Sequence, residues 1–141
     1  MAESIFKNLI KMGKKDCKVT SKGLKINLQE TEVNSLAKQV LLKNHLNVPT
    51  HKASKLTTKT VKESDFIITM TQSHKDVLVN DILKCKNQED KSLVNKIYCI
   101  KELVNGIDIP DPYGYGEKEY EAVYNVLKAS LERLYVRLFT N

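Results

Sequence analysis

The stretch Phe66-Ile67-Ile68-Thr69-Met70 decides the fold class of this chain. It is a compact apolar run of the kind that forms a parallel strand buried on both faces. A second such run, Ile97-Tyr98-Cys99-Ile100, follows about thirty residues later, and a helical pattern that begins near Ser73 separates the two. A strand, a helix and a second strand in this order predict an α/β fold with a parallel sheet.

Helical patterns flank this unit on both sides. The predicted elements are an opening helix that Gly13 ends, a strand at residues 17–20, a helix before Pro49, a short helix at residues 57–64 and a long last helix. One apolar stripe runs along the last helix and predicts a core face: Tyr120, Val123, Tyr124, Leu127, Leu131, Leu134 and Leu138. The strand that would normally precede the opening helix is missing, so the predicted sheet is one strand short.

Composition favours a single globular domain. The chain has 141 residues, of which 41% are hydrophobic and 28% are charged, and this balance is typical of a chain that buries a core. No apolar run approaches the roughly 18 residues that a membrane span needs. The N-terminus also lacks the basic and apolar regions of a secretory signal. We therefore expect one cytoplasmic domain over residues 1–141 and no membrane partner; its oligomeric state is open.

The net charge of +6 is unevenly distributed. Residues 1–62 carry a net charge of +9 and residues 63–141 a net charge of −3. The basic half could steer an anionic partner by long-range attraction. However, 21 of the 23 basic residues are lysine, whereas arginine is the residue that reads guanine edges and grips phosphate in a fork. The pattern favours a solvated lysine-rich face and no nucleic-acid partner.

The three cysteines, Cys17, Cys85 and Cys99, are odd in number and widely spaced. They form no Cys-x-x-Cys pair, so neither a disulfide framework nor a zinc site is indicated. We expect reduced thiols, no metal and no cofactor.

The loop Asp108-Ile109-Pro110-Asp111-Pro112-Tyr113-Gly114-Tyr115-Gly116 carries the most informative local pattern. Proline fixes the backbone on both sides of Asp111, and the glycines allow sharp turns. A carboxylate on a loop beyond the carboxyl end of a strand is where α/β folds place catalytic acids. Tyr113 and Tyr115 could line a slot for a substrate group. A tight turn that uses the aspartate only as a local acceptor is equally compatible with these residues.

With this loop, five ordered segments of the chain resemble the low-molecular-weight protein tyrosine phosphatases, and in particular the bacterial branch that includes protein arginine phosphatases. These segments are Met1-Ala2-Glu3-Ser4-Ile5-Phe6, Ser21-Lys22-Gly23, His51-Lys52-Ala53-Ser54-Lys55-Leu56-Thr57, Ser64-Asp65-Phe66-Ile67-Ile68-Thr69-Met70-Thr71 with His74-Lys75, and Asp111-Pro112-Tyr113-Gly114. The resemblance implies a three-layer α/β/α domain with a parallel sheet. It also implies a phosphorylated protein substrate and no cofactor.

The resemblance assigns roles to individual residues. Asp111 aligns with the general acid, and Tyr113 and Tyr115 flank it where substrate would bind. Ser21 and His51 align with residues that hydrogen-bond beneath the phosphate-binding loop and support its shape. The leaving group would be a tyrosine phenolate or an arginine guanidinium, and the Asp-Pro-Tyr-Gly sequence followed by Tyr120 favours the arginine phosphatases.

One family feature is absent from the 141 residues. The family binds phosphate in a Cys-x5-Arg loop that lies immediately before the opening helix, where helix N–H groups and the arginine activate the thiolate. The residues six positions after the three cysteines are Gly23, Lys91 and Asn105, and the two arginines lie in the last helix. We therefore expect an N-terminally truncated domain that is inactive as it stands.

Two other functions are considered. The chain could be a non-catalytic pseudophosphatase or gene fragment that acts by protein binding. Arsenate reductases of the same family are disfavoured, because they need nearby resolving cysteines and Cys85 and Cys99 are fourteen residues apart.

Overall fold

The computed structural model describes residues 1–24, 34–50, 52–84 and 88–140. Its elements are α1 (Ala2–Met12), α2 (Ser35–Lys43), α3 (Thr58–Glu63), β1 (Ile67–Thr69), α4 (Gln72–Leu83), α5 (Gln88–Lys91), a 3-10 helix (Ser92–Lys96), β2 (Ile97–Cys99), α6 (Ile100–Val104) and α7 (Glu117–Phe139). Helices and a parallel sheet together confirm the α/β class. The chain forms two compact units, one of Met1–Lys55 with Asp111–Asn141 and one of Leu56–Pro110.

The first unit is built around α7, against which both α1 and α2 pack. The apolar stripe of α7 is buried as predicted, with Leu138 only half-buried at its end. The side chains that α1 and α2 bury are Ile5, Phe6, Ile10, Ala37, Val40 and Leu41. Each fully buried aliphatic or aromatic side chain contributes about 1.5–3 kcal/mol to folding, so these three helices form the core of the unit.

The end of α1 shows why glycine is needed at position 13. Gly13 has an ordinary right-handed φ of −82°, and Lys14 takes the left-handed conformation with φ 53°. The N–H of Lys15 reaches back to the carbonyl of Ile10 at 3.0 Å, which completes a Schellman-type helix end. A Cβ on Gly13 would overlap the hydroxyl of Tyr135. Glycine is therefore favoured here because a side chain would displace the Tyr135 hydroxyl, and not because of backbone freedom.

The second unit contains the sheet. β1 and β2 pair in parallel, with Ile67 opposite Ile97 and Thr69 opposite Cys99, and α4 connects the strands and packs against both. This confirms the predicted strand–helix–strand unit, but β1 is shorter than the predicted run and is not buried on both faces, since Ile67 and Ile68 are half-buried and Phe66 beside them is 54% exposed. The second strand ends one residue before its predicted end, at Cys99, and the short helix α6 that follows directly was not predicted.

The strand predicted at residues 17–20 is wrong. These residues form no strand, and among the described residues the sheet contains β1 and β2 alone. A single parallel bridge forms farther along, between Gly23 and Lys55, where the Gly23 N–H donates to the carbonyl of Ser54 at 2.9 Å. An extended segment becomes a strand only where a neighbour pairs with several of its N–H and C=O groups in succession. Residues 17–20 have no such neighbour in the described chain.

Candidate functional site

Asp111 begins an exposed turn in the first unit. Its Oδ1 accepts a hydrogen bond from the backbone N–H of Tyr113 at 3.0 Å, which is the local geometry of an Asx turn. Within the described ranges, its carboxylate makes no ion pair. The turn therefore fixes one carboxylate oxygen through its own backbone, and the group stays open to solvent.

Two tyrosines follow Asp111 on the same turn. The N–H of Tyr115 donates to the carbonyl of Pro112 at 3.0 Å, and Gly114 between the tyrosines has a left-handed φ of 87°. The side chains of Tyr113 and Tyr115 are 54% and 65% exposed. The structure thus brings three of the predicted site residues together on one short turn.

Asp108, three residues earlier, has a different environment in the second unit. Its Oδ1 accepts from the backbone N–H of Gln72 at 3.1 Å and from the Cys99 thiol at 3.6 Å, and it lies 3.2 Å from Nζ of Lys101. Burial acts to raise the pKa of Asp108, but the Gln72 N–H and the Lys101 ammonium outweigh it and lower the pKa below its ordinary value. Asp108 therefore joins the start of α4, the end of β2 and α6. The sequence analysis quoted this residue but gave it no role.

Ile109, which is next to Asp108 in sequence, and Cys99, which contacts it in space, are also held in place. Ile109 is 4% exposed, and its N–H donates to the carbonyl of Met70 at 2.9 Å. Cys99 is fully buried, and burial raises the pKa of its thiol. A buried, protonated thiol is a poor nucleophile, so Cys99 serves packing.

Ser21 contacts the first turn of α1. Its hydroxyl donates to Oε2 of Glu3 at 2.9 Å, and the other oxygen of Glu3 pairs with Lys7 at 2.9 Å. Glu3 is only 6% exposed, and a buried carboxylate needs such partners. An acidic residue in the first turn of an apolar helix face was the sequence signal for this group, and the sequence analysis did not use it.

The remaining predictions concern His51, Cys85, metal ions and membrane spans. His51 lies outside the described residues, as does Cys85. In the described ranges, no cluster of three or more His, Cys, Asp or Glu side chains could bind a metal ion. No described helix has both the length and the apolar character needed to cross a membrane.

Comparison with known proteins identifies the family. The sequence model of the low molecular weight phosphotyrosine protein phosphatases matches residues 1–141. A protein-arginine-phosphatase from Geobacillus stearothermophilus is 28% identical over 112 residues, which cover 78% of this chain and 70% of that protein.

Solved structures agree with this match. A low molecular weight protein tyrosine phosphatase from T. tengcongensis superimposes with a TM-score of 0.79 at 28% identity, covering 94% of this chain and 86% of that one. The arginine phosphatase YwlE from Geobacillus stearothermophilus superimposes with a TM-score of 0.82 at 25% identity, covering 99% and 83%. The α/β fold is thus that of these phosphatases, and the chain belongs to the low molecular weight phosphotyrosine protein phosphatase family.

Proposed function

We propose that this chain is the part of a protein phosphatase that contains the general acid, and that Asp111 is this acid. The observation that carries the proposal is the turn at Asp111, which leaves an aspartate exposed, bonded to one backbone N–H at 3.0 Å and unpaired with any cation in the described chain. A residue that must give and take a proton needs this access to substrate and water.

The proposed reaction has two steps. In the first, a cysteine thiolate attacks phosphorus, the bond from phosphorus to the leaving group breaks, and the Asp111 carboxyl gives its proton to the leaving atom. In the second, the Asp111 carboxylate takes a proton from water as the water oxygen attacks phosphorus, and the cysteine leaves as thiolate. Phosphate is released, and both groups return to their starting protonation states.

The substrate that we propose is phosphoarginine in a protein. Support comes from the name of the curated Geobacillus relative, protein-arginine-phosphatase, and from the Asp-Pro-Tyr-Gly sequence. The exposed rings of Tyr113 and Tyr115 would contact the planar guanidinium, which stacks well on aromatic faces. Phosphotyrosine is the alternative substrate within the same family.

The nucleophile requires a segment that these 141 residues do not contain. None of the three cysteines begins a Cys-x5-Arg sequence, and Cys99 is buried with a raised pKa. We propose that a phosphate-binding loop placed ahead of α1 supplies the thiolate, and that residues 1–141 alone are inactive. Ser21 would support that loop, since its hydroxyl is fixed by Glu3 at the first turn of α1; His51 is proposed for the same role. The proposed compartment is the cytoplasm, where thiols stay reduced.

The test is an extended chain. The strand and Cys-x5-Arg loop of the Geobacillus arginine phosphatase would be fused ahead of Met1, and the fusion would be assayed beside residues 1–141 on phosphoarginine and phosphotyrosine peptides. We expect turnover by the fusion only, faster on phosphoarginine, with a phosphocysteine trapped in the added loop.

Two results would contradict the proposal. Turnover by residues 1–141 alone would show that another nucleophile acts. A folded fusion that binds phosphate but never forms phosphocysteine would show that this scaffold does not support the reaction. A fusion whose cysteine is replaced by serine is the matched control.

A second candidate is a non-catalytic family member that acts by binding proteins. The lack of a Cys-x5-Arg sequence in these 141 residues favours it. The same fusion separates the two, because a binding protein would gain no activity from the added loop.

A further inference from the structure

An exposed, lysine-rich segment begins in the last turn of α1 and continues beyond the helix. Residues 11–22, here called the basic segment, contain a single acid, Asp16, and have a net charge of +4. All of its charged side chains are exposed; its five lysines are Lys11, Lys14, Lys15, Lys18 and Lys22. These twelve residues carry much of the positive charge of the chain.

The lysines of the basic segment have no carboxylate partner among the described residues, a property that about half of the other described lysines share. In the described ranges, seven lysines elsewhere form ion pairs with carboxylates: Lys7, Lys43, Lys59, Lys62, Lys75, Lys101 and Lys128. None of the five lysines of the basic segment pairs with a carboxylate in the described chain. No carboxylate of the described ranges therefore neutralises these charges.

The basic segment is fixed at both ends. Near its start, Nζ of Lys15 lies 5.9 Å from the centroid of the Phe139 ring on α7, a cation–π contact. At its end, the Ser21 hydroxyl donates to Glu3 and Nζ of Lys22 donates to the Ser54 hydroxyl at 2.8 Å. A surface whose backbone is already positioned loses less conformational entropy on binding.

These contacts also define the shape of the surface. α1 has 11 residues and is therefore about 16 Å long. The basic segment starts at the C-terminal end of α1 and returns to its first turn, where Ser21 meets Glu3. The backbone of the basic segment thus runs along about 15–20 Å, the length of roughly five or six residues of extended chain.

We propose that the basic segment is a docking surface for an extended acidic segment of a partner protein. Carboxylates at the spacing of an extended chain would complement the charges of the lysines along this segment. A nucleic acid fits less well, because the segment has neither arginine nor an aromatic side chain for base stacking. A membrane surface fits less well, because Met12 is its only large exposed apolar side chain. The proposal does not depend on catalysis.

The experiment measures binding of a fluorescent octapeptide of alternating glutamate and aspartate by anisotropy, at low and at physiological salt. We expect saturable binding that weakens as salt rises. The double variant Lys11→Gln/Lys18→Gln should weaken binding about tenfold or more, since an ion pair in water contributes about a factor of five. An octapeptide of glutamine and asparagine should not bind.

The matched control is Lys59→Gln/Lys128→Gln, which removes the same charge from two exposed lysines outside the basic segment. Circular dichroism would verify that both double variants are folded. If both double variants weaken binding of the acidic peptide equally, the effect is one of net charge and the proposal is overturned. It is also overturned by no binding at low salt, or by tighter binding to poly(U) RNA or to phosphatidylserine vesicles than to the acidic peptide.

Discussion

The two halves of the segment from residue 108 to residue 116 behave differently although they are adjacent in sequence. In residues 108–110, Asp108 bonds to groups of three elements and Ile109 is buried. In residues 111–116, Asp111 bonds to its own turn and both tyrosines are exposed. The same residue type therefore serves structure at position 108 and is available for chemistry at position 111.

The largest expected effect is on catalysis. In the fusion that carries a Cys-x5-Arg loop, Asp111→Asn should slow turnover about 10²–10⁴-fold with poor leaving groups, since the leaving atom would depart unprotonated. The Asp108→Asn variant of the same fusion, assayed under conditions in which it remains folded, should lose far less activity. Steady-state kinetics on both variants measure this, and equal losses would remove the distinction between the two aspartates.

The next effect is on stability. Ile109→Ala should destabilise the chain by about 2–5 kcal/mol, because the side chain is 4% exposed and its removal leaves a cavity. Tyr113→Ala, at a 54% exposed position, should change stability by no more than about 0.5 kcal/mol. Urea denaturation of both variants gives the two values. A small effect at position 109 would mean that the first half of the segment is not anchored by burial.

A smaller effect should depend on pH. The lowered pKa of Asp108 means that its ionised form is favoured by folding, so its contribution is present above the ordinary carboxyl pKa and is lost as pH falls through the lower folded value. Asp108→Asn should therefore lower the Tm at neutral pH, and the difference from the unmodified chain should disappear in acid. A pH-independent difference for Asp108→Asn would contradict the role of its charge.

The smallest effect concerns the turn itself. Gly114 has φ 87° and a Cβ there would meet no atom within 4 Å. Gly114→Ala should therefore cost about 1 kcal/mol from backbone strain alone. Gly114→Asn should cost less, because asparagine tolerates the left-handed region. Thermal unfolding of the two variants tests this, and an alanine variant as stable as the parent would show that the turn adopts another conformation.

Local patterns were sufficient to predict part of this molecule. The apolar runs around Ile68 and Tyr98 predicted both strands, although Ile68 and Tyr98 are only half-buried. The stripe along α7 predicted the core, because a buried helix face leaves a periodic trace in sequence. The Asp111 turn was predicted because proline restricts the backbone and glycine permits left-handed turn conformations, and both residue types mark turns in a sequence.

The remaining features depend on partners that are distant in sequence. Residues 17–20 have strand-like composition, but pairing requires a neighbour that no local pattern reveals. The role of Asp108 depends on Gln72, thirty-six positions away, and that of Ser21 on Glu3, eighteen positions away. Such contacts are set by the tertiary fold, so the sequence could show the residues but not their roles.

The close approach of Gly13 and Tyr135 has a consequence for how this family member can change over time. Any side chain at position 13 would occupy the space of the Tyr135 hydroxyl. Replacement of the tyrosine by a smaller residue first would open that space, at the expense of its contacts with Phe6 and Phe139. The effects of substitutions at the two positions should therefore not add: a side chain at position 13 should destabilise the chain less where residue 135 is smaller than tyrosine.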